Sequence, residues 1–294
     1  MSGVKLEDWF FYAIIIVILI LPYICKKIHI FIYFGKYVLY CSTLCFLAIG
    51  CIPLFALNAK NVKNCLYISE VIKHVTKFVG IEWELRDLQY VSEDRGAIIV
   101  ANHQTIFDVL GMHCYWHVMV KCAAIAKKEL FYFWPFGLAA WLGGVVFIDR
   151  KKGSESYNTL FETAQLMHVN KTKLFIFPEG TRNNRANRTL QFLPFKRGAF
   201  KMAIAFKVPI LPIVYSPYYF LDLSTLHFGS GKVIVKGLPP ISTENLTEDD
   251  VDTLMQKTRE TMLKTFEELS AEVASFLPDD HFMKQAYLAK NKLE

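Results

Sequence analysis

Two short polar segments of this sequence carry side chains whose types and spacing could do chemistry. The first follows the apolar run 97–101 and places His103 five residues before Asp108. On one ideal helix these side chains would point about 140° apart, so they meet only if His103 lies in the turn before a helix and Asp108 in its first turn. The carboxylate would then orient the imidazole, whose other nitrogen could take a proton from a hydroxyl. The pair therefore predicts a general base that acts without an enzyme nucleophile.

A purely structural role is also compatible with this spacing. With 8 histidines and 27 acidic residues in 294 positions, about 0.7 pairs at this separation are expected by chance. Thr105 and Asp108 also form the pattern of a capping box, in which the carboxylate caps the first turn of a helix. The pair alone does not choose between the two roles.

The second segment, residues 177–182, follows another apolar run and contains Glu179, Gly180, Thr181 and Arg182 in succession. Glycine lets the backbone approach a ligand closely, threonine donates a hydrogen bond, and arginine makes forked, charge-assisted contacts to phosphate oxygens. The pattern predicts a phosphate-binding loop. The alternative is an ordinary turn at a strand end, where proline and glycine are just as common.

Further cations lie near both segments. They are Lys127, Lys128, Arg150, Lys151, Lys152, Arg185, Arg188, Lys196 and Arg197. Each run alone is typical of a solvated surface, whereas several of them at strand ends would line an electropositive mouth for a phosphorylated substrate. The net charge of +6 is modest and gives no support to a nucleic-acid partner. The remaining histidines lack the spacing of metal ligands, so we expect no metal site.

The elements that must position these residues follow from the apolar pattern. From about residue 65 onward, alternating helices and short apolar runs predict the α/β class, with a central mixed sheet flanked by helices. Near-continuous apolar strands are expected where helices cover both faces of a sheet. A long helix should begin at Thr247, with Asp250 as its capping-box partner. The candidate strands are residues 97–101, 145–148, 174–177, 210–214 and 232–235.

The first sixty residues are mostly apolar. Residues 9–25 and 37–59 are uncharged runs long enough to enter a bilayer, and we expect them to form a two-helix hairpin. The predicted domains are therefore a membrane-anchoring hairpin at 1–62 and an α/β domain at 63–294. A cleaved signal peptide is disfavoured because the N-terminus is not cationic. Whether the hairpin crosses the bilayer or dips into one leaflet stays open.

Residues 130–148 form a third uncharged run. This run contains Pro135, Gly137, Gly143 and Gly144, which disfavour one continuous helix. We expect a buried or membrane-skimming segment of the α/β domain.

Four ordered blocks give the sequence a resemblance to a known family. The blocks are NHQTIFD at 102–108, GGVVFIDR at 143–150, FPEGTR at 177–182 and VPILPI at 208–213. In order and spacing they resemble the 1-acylglycerol-3-phosphate acyltransferases, within the wider glycerolipid acyltransferases. The resemblance covers about residues 96–217 together with the apolar N-terminus.

The resemblance implies a glycerolipid acyltransferase fold and an acyl transfer without cofactor or metal. Acyl-CoA would be the donor, the sn-2 hydroxyl of lysophosphatidic acid the acceptor, and phosphatidic acid the product. His103 would match the family's base and Asp108 its partner, and residues 208–213 would serve donor binding or packing. The acceptor-binding positions would be Arg150, Glu179, Gly180, Thr181 and Arg182.

Other functions remain as alternatives. The acceptor could be another lysophospholipid, or the chain could be a non-catalytic membrane scaffold, which would not need His103 and Asp108 together. A serine hydrolase is disfavoured because the sequence has no Gly-x-Ser-x-Gly motif. A phosphate-loop nucleotide-binding protein is disfavoured because Leu226 stands where that loop needs its first glycine.

The C-terminal tail, residues 290–294, resembles a dilysine signal for the endoplasmic reticulum. It predicts an endoplasmic reticulum membrane protein whose soluble domain faces the cytosol. Three glycosylation sequons, at Asn170, Asn187 and Asn245, give a test of the opposite hypothesis of a lumenal domain, because glycosylation there would place the domain in the lumen.

Overall fold

The structure is a computed structural model and describes residues 6–149, 161–165 and 168–292. The strands are β1 Ile81–Arg86, β2 Ala97–Ala101, β3 Cys122–Lys127, β4 Val146–Ile148, β5 Lys173–Ile176, β6 Ile210–Tyr215, β7 Leu221–Asp222, β8 His227–Phe228 and β9 Gly231–Gly237. The helices are α1 Leu6–Ala56, α2 Asn64–Val79, α3 Asp108–Cys114, α4 Trp116–Met119, α5 Phe136–Leu142, α6 Ala186–Thr189, α7 Gly198–Ala205, α8 Val251–Phe276 and α9 Phe282–Asn291. Short 3-10 turns occupy Leu88–Val91, Lys128–Tyr132 and Glu248–Asp250.

Seven strands form one sheet in the order β1, β9, β6, β2, β5, β3, β4. Strand β2 lies between β5 and β6 and is parallel to both, and β3 and β4 continue the parallel part. Strand β9 is antiparallel to β6 and parallel to β1, so the sheet is mixed. The predicted α/β class with a central mixed sheet is confirmed.

Helices cover both faces of this sheet, as the apolar strands indicate. Ile99 of β2 packs into the core layer under α1 to α4. Its neighbours Ile98 and Val100 point to the opposite layer, which is formed with α7, α8 and α9. Alternate residues of one buried strand thus supply both cores.

All five predicted strands are present, with ends shifted by one or two residues. The capping box of Thr247 and Asp250 is also present at the start of the turn that leads into α8. Strands β1 and β3 were not predicted. The first is an edge strand with charged residues in alternation, and the second is rich in alanine, which favours helix in isolation.

The predicted N-terminal hairpin is wrong, because α1 continues without a break from Leu6 to Ala56. The expected turn at residues 26–36 contains no proline, asparagine or aspartate, its one glycine, Gly35, lies within the continuous helix, and lysine is a good helix former. At 1.5 Å per residue, α1 is about 76 Å long, more than twice the hydrocarbon core of a bilayer. Its part Lys27–Ala56 is long and apolar enough to cross a membrane, by length and composition.

Helix α1 is long and apolar, and it also packs against the α/β domain. It contacts α2, α5 and β8. Tyr33, Tyr40 and Phe55 are buried on its packed side, whereas Phe31 and Phe46 are exposed on the other. Residues 130–148, in turn, form a 3-10 turn, α5 and β4 rather than one helix, as Pro135 and the three glycines predict.

Candidate active site

The two chemical segments meet at one edge of the sheet. His103 lies two residues after β2, and Glu179 lies three residues after β5. These strands are parallel neighbours, so the loops that follow them leave the same edge side by side. The backbone N–H of Asn183 donates to the His103 carbonyl at 2.7 Å, which joins the loops directly.

His103 and Asp108 are in contact, as the sequence predicts for a turn followed by a helix. The Nδ1 atom of His103 lies 2.8 Å from Oδ2 of Asp108, and Asp108 is the first residue of α3. The imidazole is 17% exposed and the carboxylate is fully buried. A carboxylate at Nδ1 holds the proton on that nitrogen and leaves Nε2 to accept one from a substrate.

The Asp108 carboxylate serves both roles that the sequence left open. Its Oδ2 atom accepts hydrogen bonds from the backbone N–H groups of Gln104 and Thr105, at 2.6 and 3.0 Å. It therefore caps the turn and holds the imidazole with the same oxygen. Four donors surround the buried charge once Tyr218 is included, which offsets the cost of burying it.

Tyr218 and Phe177 complete the surroundings of the pair; Phe177 begins the segment 177–182, but neither side chain has a sequence pattern that predicts its contact with the pair. The Tyr218 hydroxyl donates to Oδ1 of Asp108 at 2.7 Å from the loop after β6. Burial raises the pKa of Tyr218 well above its usual value, so it stays a donor. The Phe177 ring stacks on the His103 ring with centroids 4.0 Å apart. The available clue to these contacts was that Phe177 follows β5 and Tyr218 follows β6, the two strands that flank β2.

Glu179 is buried, and its carboxyl group accepts hydrogen bonds from the backbone of two other loops. Its Oε1 accepts from the His103 N–H and its Oε2 from the Leu193 N–H, both at 2.8 Å. Burial raises the pKa of Glu179 to about 7, and the two backbone donors oppose part of that shift. The carboxyl group thus joins three loops and fixes the start of the turn that contains His103.

Gly180 lets a lysine lie across the loop. Its φ is +70°, a conformation that glycine adopts freely. A Cβ atom at this position would lie 2.7 Å from Cε and 3.0 Å from Nζ of Lys196. The Lys196 backbone N–H donates to the Pro178 carbonyl, which fixes the lysine beside the loop. Lys196 therefore adds an ammonium group to the predicted phosphate-binding segment.

Thr181 and Arg182 are exposed at the same edge. Within the described ranges, neither Arg182 nor Lys196 forms an ion pair. Four other predicted cations are paired, Lys127 with Glu129, Lys128 with Asp149, Arg188 with Asp222 and Arg197 with Asp252, whereas Arg185 is exposed and forms no ion pair with a described residue. Arg150, predicted to bind the acceptor, lies outside the described residues, as do Lys151 and Lys152.

The N-terminal helix reaches this site. Tyr37 and Tyr40 of α1 contact the Phe107 ring, with centroids 4.9 and 5.1 Å apart. The Tyr40 hydroxyl also donates to the Ile106 carbonyl at 3.3 Å. Both contacted residues lie between His103 and Asp108 in the chain, so α1 packs directly on the turn that joins them.

Chemically, the arrangement is an oriented imidazole with two exposed cations close by. Such a group can remove a proton from a hydroxyl, and the cations suit a phosphorylated molecule. Residues 82–216, which contain His103, Asp108 and the segment 177–182, match the family model described as Acyltransferase. The fold and the site therefore define an acyltransferase.

Known relatives give the particular family. The chain is 39% identical to human 1-acyl-sn-glycerol-3-phosphate acyltransferase alpha, over 82% of this chain and 83% of the relative. It is 36% identical to the human beta form, over 81% and 84% of the two chains. The chain belongs to the 1-acyl-sn-glycerol-3-phosphate acyltransferase family, which confirms the resemblance found in the four blocks.

A solved structure agrees on the fold. The crystal structure of the 1-acyl-sn-glycerophosphate (LPA) acyltransferase PlsC from Thermotoga maritima is similar, with a TM-score of 0.64 and 22% identity. The match covers 84% of this chain and 98% of that one.

Proposed function

We propose that this enzyme transfers an acyl group from acyl-CoA to the sn-2 hydroxyl of 1-acyl-sn-glycerol 3-phosphate, giving phosphatidic acid. The observation that carries the proposal is the His103–Asp108 contact, which lies beside the exposed cations Arg182 and Lys196. The relatives' names support the acceptor, since they are 1-acyl-sn-glycerol-3-phosphate acyltransferases.

The proposed reaction needs no covalent enzyme intermediate. His103 Nε2 takes the proton of the sn-2 hydroxyl as its oxygen attacks the thioester carbonyl carbon. The tetrahedral intermediate collapses with cleavage of the carbon–sulfur bond, and the imidazolium returns the proton to the CoA thiolate. Asp108 stabilises the imidazolium while it exists. Because a thioester is already activated, positioning and one base suffice for transfer.

We propose that the acceptor's phosphate binds at Gly180, Thr181, Arg182 and Lys196. Glu179 has a different part, because backbone N–H groups already occupy both of its oxygens. It positions His103 and does not contact the acceptor. A change in acceptor KM alone on Glu179→Gln would contradict this role, since a positioning residue acts mainly on kcat.

The acceptor head group is tested by assaying the wild-type enzyme with lysolipids that differ only there. Lysophosphatidic acid should be the best acceptor because its phosphate monoester carries the most negative charge for Arg182 and Lys196. A preference for lysophosphatidylcholine would contradict the proposal and favour the alternative of another lysophospholipid acceptor. Failure to acylate any lysolipid would favour a non-catalytic scaffold.

Lys196 offers a sharper test of the phosphate site. Lys196→Ala should raise the KM for lysophosphatidic acid by about tenfold, the lower end for a hydrogen bond to a charged group, because the site is exposed. The kcat should change little. The matched control is Arg197→Ala, because Arg197 is the next residue in the chain and its guanidinium pairs with Asp252 instead. Equal KM values for the two variants would exclude Lys196 from the site.

We also propose that α1 holds the chain in the endoplasmic reticulum membrane with the α/β domain in the cytosol. The Asn187 side chain makes two hydrogen bonds to the backbone of Tyr218 and one to that of Leu221 at the start of β7, and a glycan at this sequon would displace them. Lys290 of the dilysine tail pairs with Glu267 of α8, so retrieval would require that pair to open. A mobility shift on glycosidase treatment would contradict the cytosolic orientation.

A further inference from the structure

Five consecutive large apolar side chains are exposed on the α/β domain. They are Leu130, Phe131, Tyr132, Phe133 and Trp134, with 45, 37, 70, 53 and 70% of their surfaces exposed. Single exposed apolar residues are common on proteins, but a contiguous patch of this kind marks a contact surface. We call residues 130–134 the aromatic loop.

The aromatic loop has a defined shape. The Gly137 N–H donates to the Phe133 carbonyl at 2.8 Å, and the Phe133 N–H donates to the Leu130 carbonyl at 3.2 Å. A Cβ atom at Gly137 would lie 1.9 Å from the Phe131 carbonyl oxygen, so only glycine permits this close approach. Phe131 also packs edge-on against Phe147, the middle residue of β4. The fold therefore holds the aromatic side chains outward.

Its position in the fold relates it to the catalytic site. The 3-10 turn that carries much of the loop begins at Lys128, directly after β3, and β3 lies two strands from β2 in the sheet. The strands are parallel, so their ends share one edge at a separation of about 10 Å. The aromatic loop thus leaves the same edge as His103 and Arg182.

The loop also adjoins the apolar N-terminal helix. Helix α5 follows the loop after Pro135 and packs against α1. The exposed side chains of α1, including Phe31 and Phe46, are the apolar surface that membrane attachment would use. The aromatic loop would therefore lie beside the apolar surface by which α1 attaches to the membrane.

Its chemistry favours a bilayer interface over a protein partner. Tryptophan and tyrosine concentrate at membrane interfaces, where their rings meet acyl chains and their polar atoms meet water. Lys127 and Lys128 precede the loop, and each is about half exposed and paired with a carboxylate, Glu129 or Asp149, so the loop is flanked by charged groups that suit the polar head-group layer. We propose that the aromatic loop inserts into the interface of the same bilayer that holds α1, as a second attachment point beside the catalytic mouth. We further infer that the acceptor enters the catalytic mouth from that bilayer, and this part of the inference rests on the proposed function.

Fluorescence tests the insertion directly. The full-length protein is reconstituted in vesicles of phosphatidylcholine and phosphatidylglycerol, with or without lipids brominated near the head group. The emission of Trp134, obtained as the difference between wild type and Trp134→Phe, should be quenched by the brominated lipid. Quenching of that component by aqueous iodide, and not by brominated lipid, would overturn the proposal. This result does not depend on which reaction the enzyme catalyses.

Kinetics test the consequence for substrate capture. The double variant Tyr132→Ser, Trp134→Ser should lose about tenfold in activity on long-chain lysophosphatidic acid in vesicles, because two interfacial anchors are gone. Activity on a short-chain, monomeric acceptor should be unchanged. The control is Val169→Ser, an equally exposed apolar residue that lies shortly before the start of β5 and so at the opposite sheet edge.

Two kinetic outcomes contradict the inference. Equal losses on vesicle and monomeric acceptors would show that the loop acts inside the enzyme and not on the bilayer. A loss no larger than that of Val169→Ser would show that the loop makes no useful membrane contact. A wild-type enzyme inactive on lysophosphatidic acid would instead refute the proposed function, and the quenching result would still decide the insertion.

Discussion

Replacing His103 with alanine should lower the kcat for acyl transfer to lysophosphatidic acid by about 10²- to 10⁴-fold, the usual contribution of a positioned general base. The ring is held by Asp108 on one side and stacked on Phe177, so its Nε2 is oriented before the acceptor arrives. Alanine removes the proton acceptor and leaves the rest of the edge in place. The effect is measured as the transfer of radiolabelled acyl groups to lysophosphatidic acid in membranes prepared from cells that express each variant.

The matched control is His117→Ala. His117 is exposed on α4 and should be dispensable for transfer, so this variant should keep the wild-type rate. Both proteins must be expressed at the wild-type level for the comparison. Full activity of His103→Ala under these conditions would rule out the general-base mechanism.

Asp108→Asn should produce a loss of similar size, about 10²- to 10⁴-fold in kcat, with little change in the acceptor KM. The carboxylate accepts hydrogen bonds from two backbone N–H groups, one tyrosine and the imidazole. An amide can offer only one acceptor atom, so at least one of these donors would face an NH2 group. The histidine then loses the partner that keeps its proton on Nδ1.

Because Asp108 is fully buried, its replacement also tests the fold, and Tyr218→Phe separates the two effects. That variant removes only the bond to Oδ1 and should lower kcat by about tenfold or less. Thermal unfolding of each purified variant gives the folded fraction. If the loss in Asp108→Asn merely follows that fraction, or if kcat is unchanged, the proposed role of Asp108 is wrong.

Much of the sheet was predictable because its strands are buried on both faces. Runs such as 97–101 and 210–214 are apolar at nearly every position, a pattern that few other structures produce. The contact between His103 and Asp108 was also predictable, since only a strand-to-helix turn reconciles their spacing. Strand β3 escaped prediction because its alanines gain strand geometry only from the neighbours β4 and β5.

Other features depend on long-range packing that local sequence does not encode. Tyr218 lies 110 residues from Asp108 in the chain and meets it because β6 pairs with β2. Lys196 could be named as a nearby cation, but its place across Gly180 depends on the path of the loop before α7. The predicted hairpin failed for a local reason: lysines interrupt an apolar run without ending a helix.

The packing of α1 on the turn between His103 and Asp108 makes the apolar N-terminal helix a structural support of the proposed active site. Phe107 packs against Tyr37, Tyr40 and Phe228, so rings from outside the main sheet hold the backbone between the two proposed catalytic residues. Detergents or heat that loosen this helix would relax the imidazole's orientation while the strands remain paired. Loss of enzyme activity should therefore precede unfolding of the α/β domain. Removal of the apolar N-terminal helix would leave a domain that is folded but inactive.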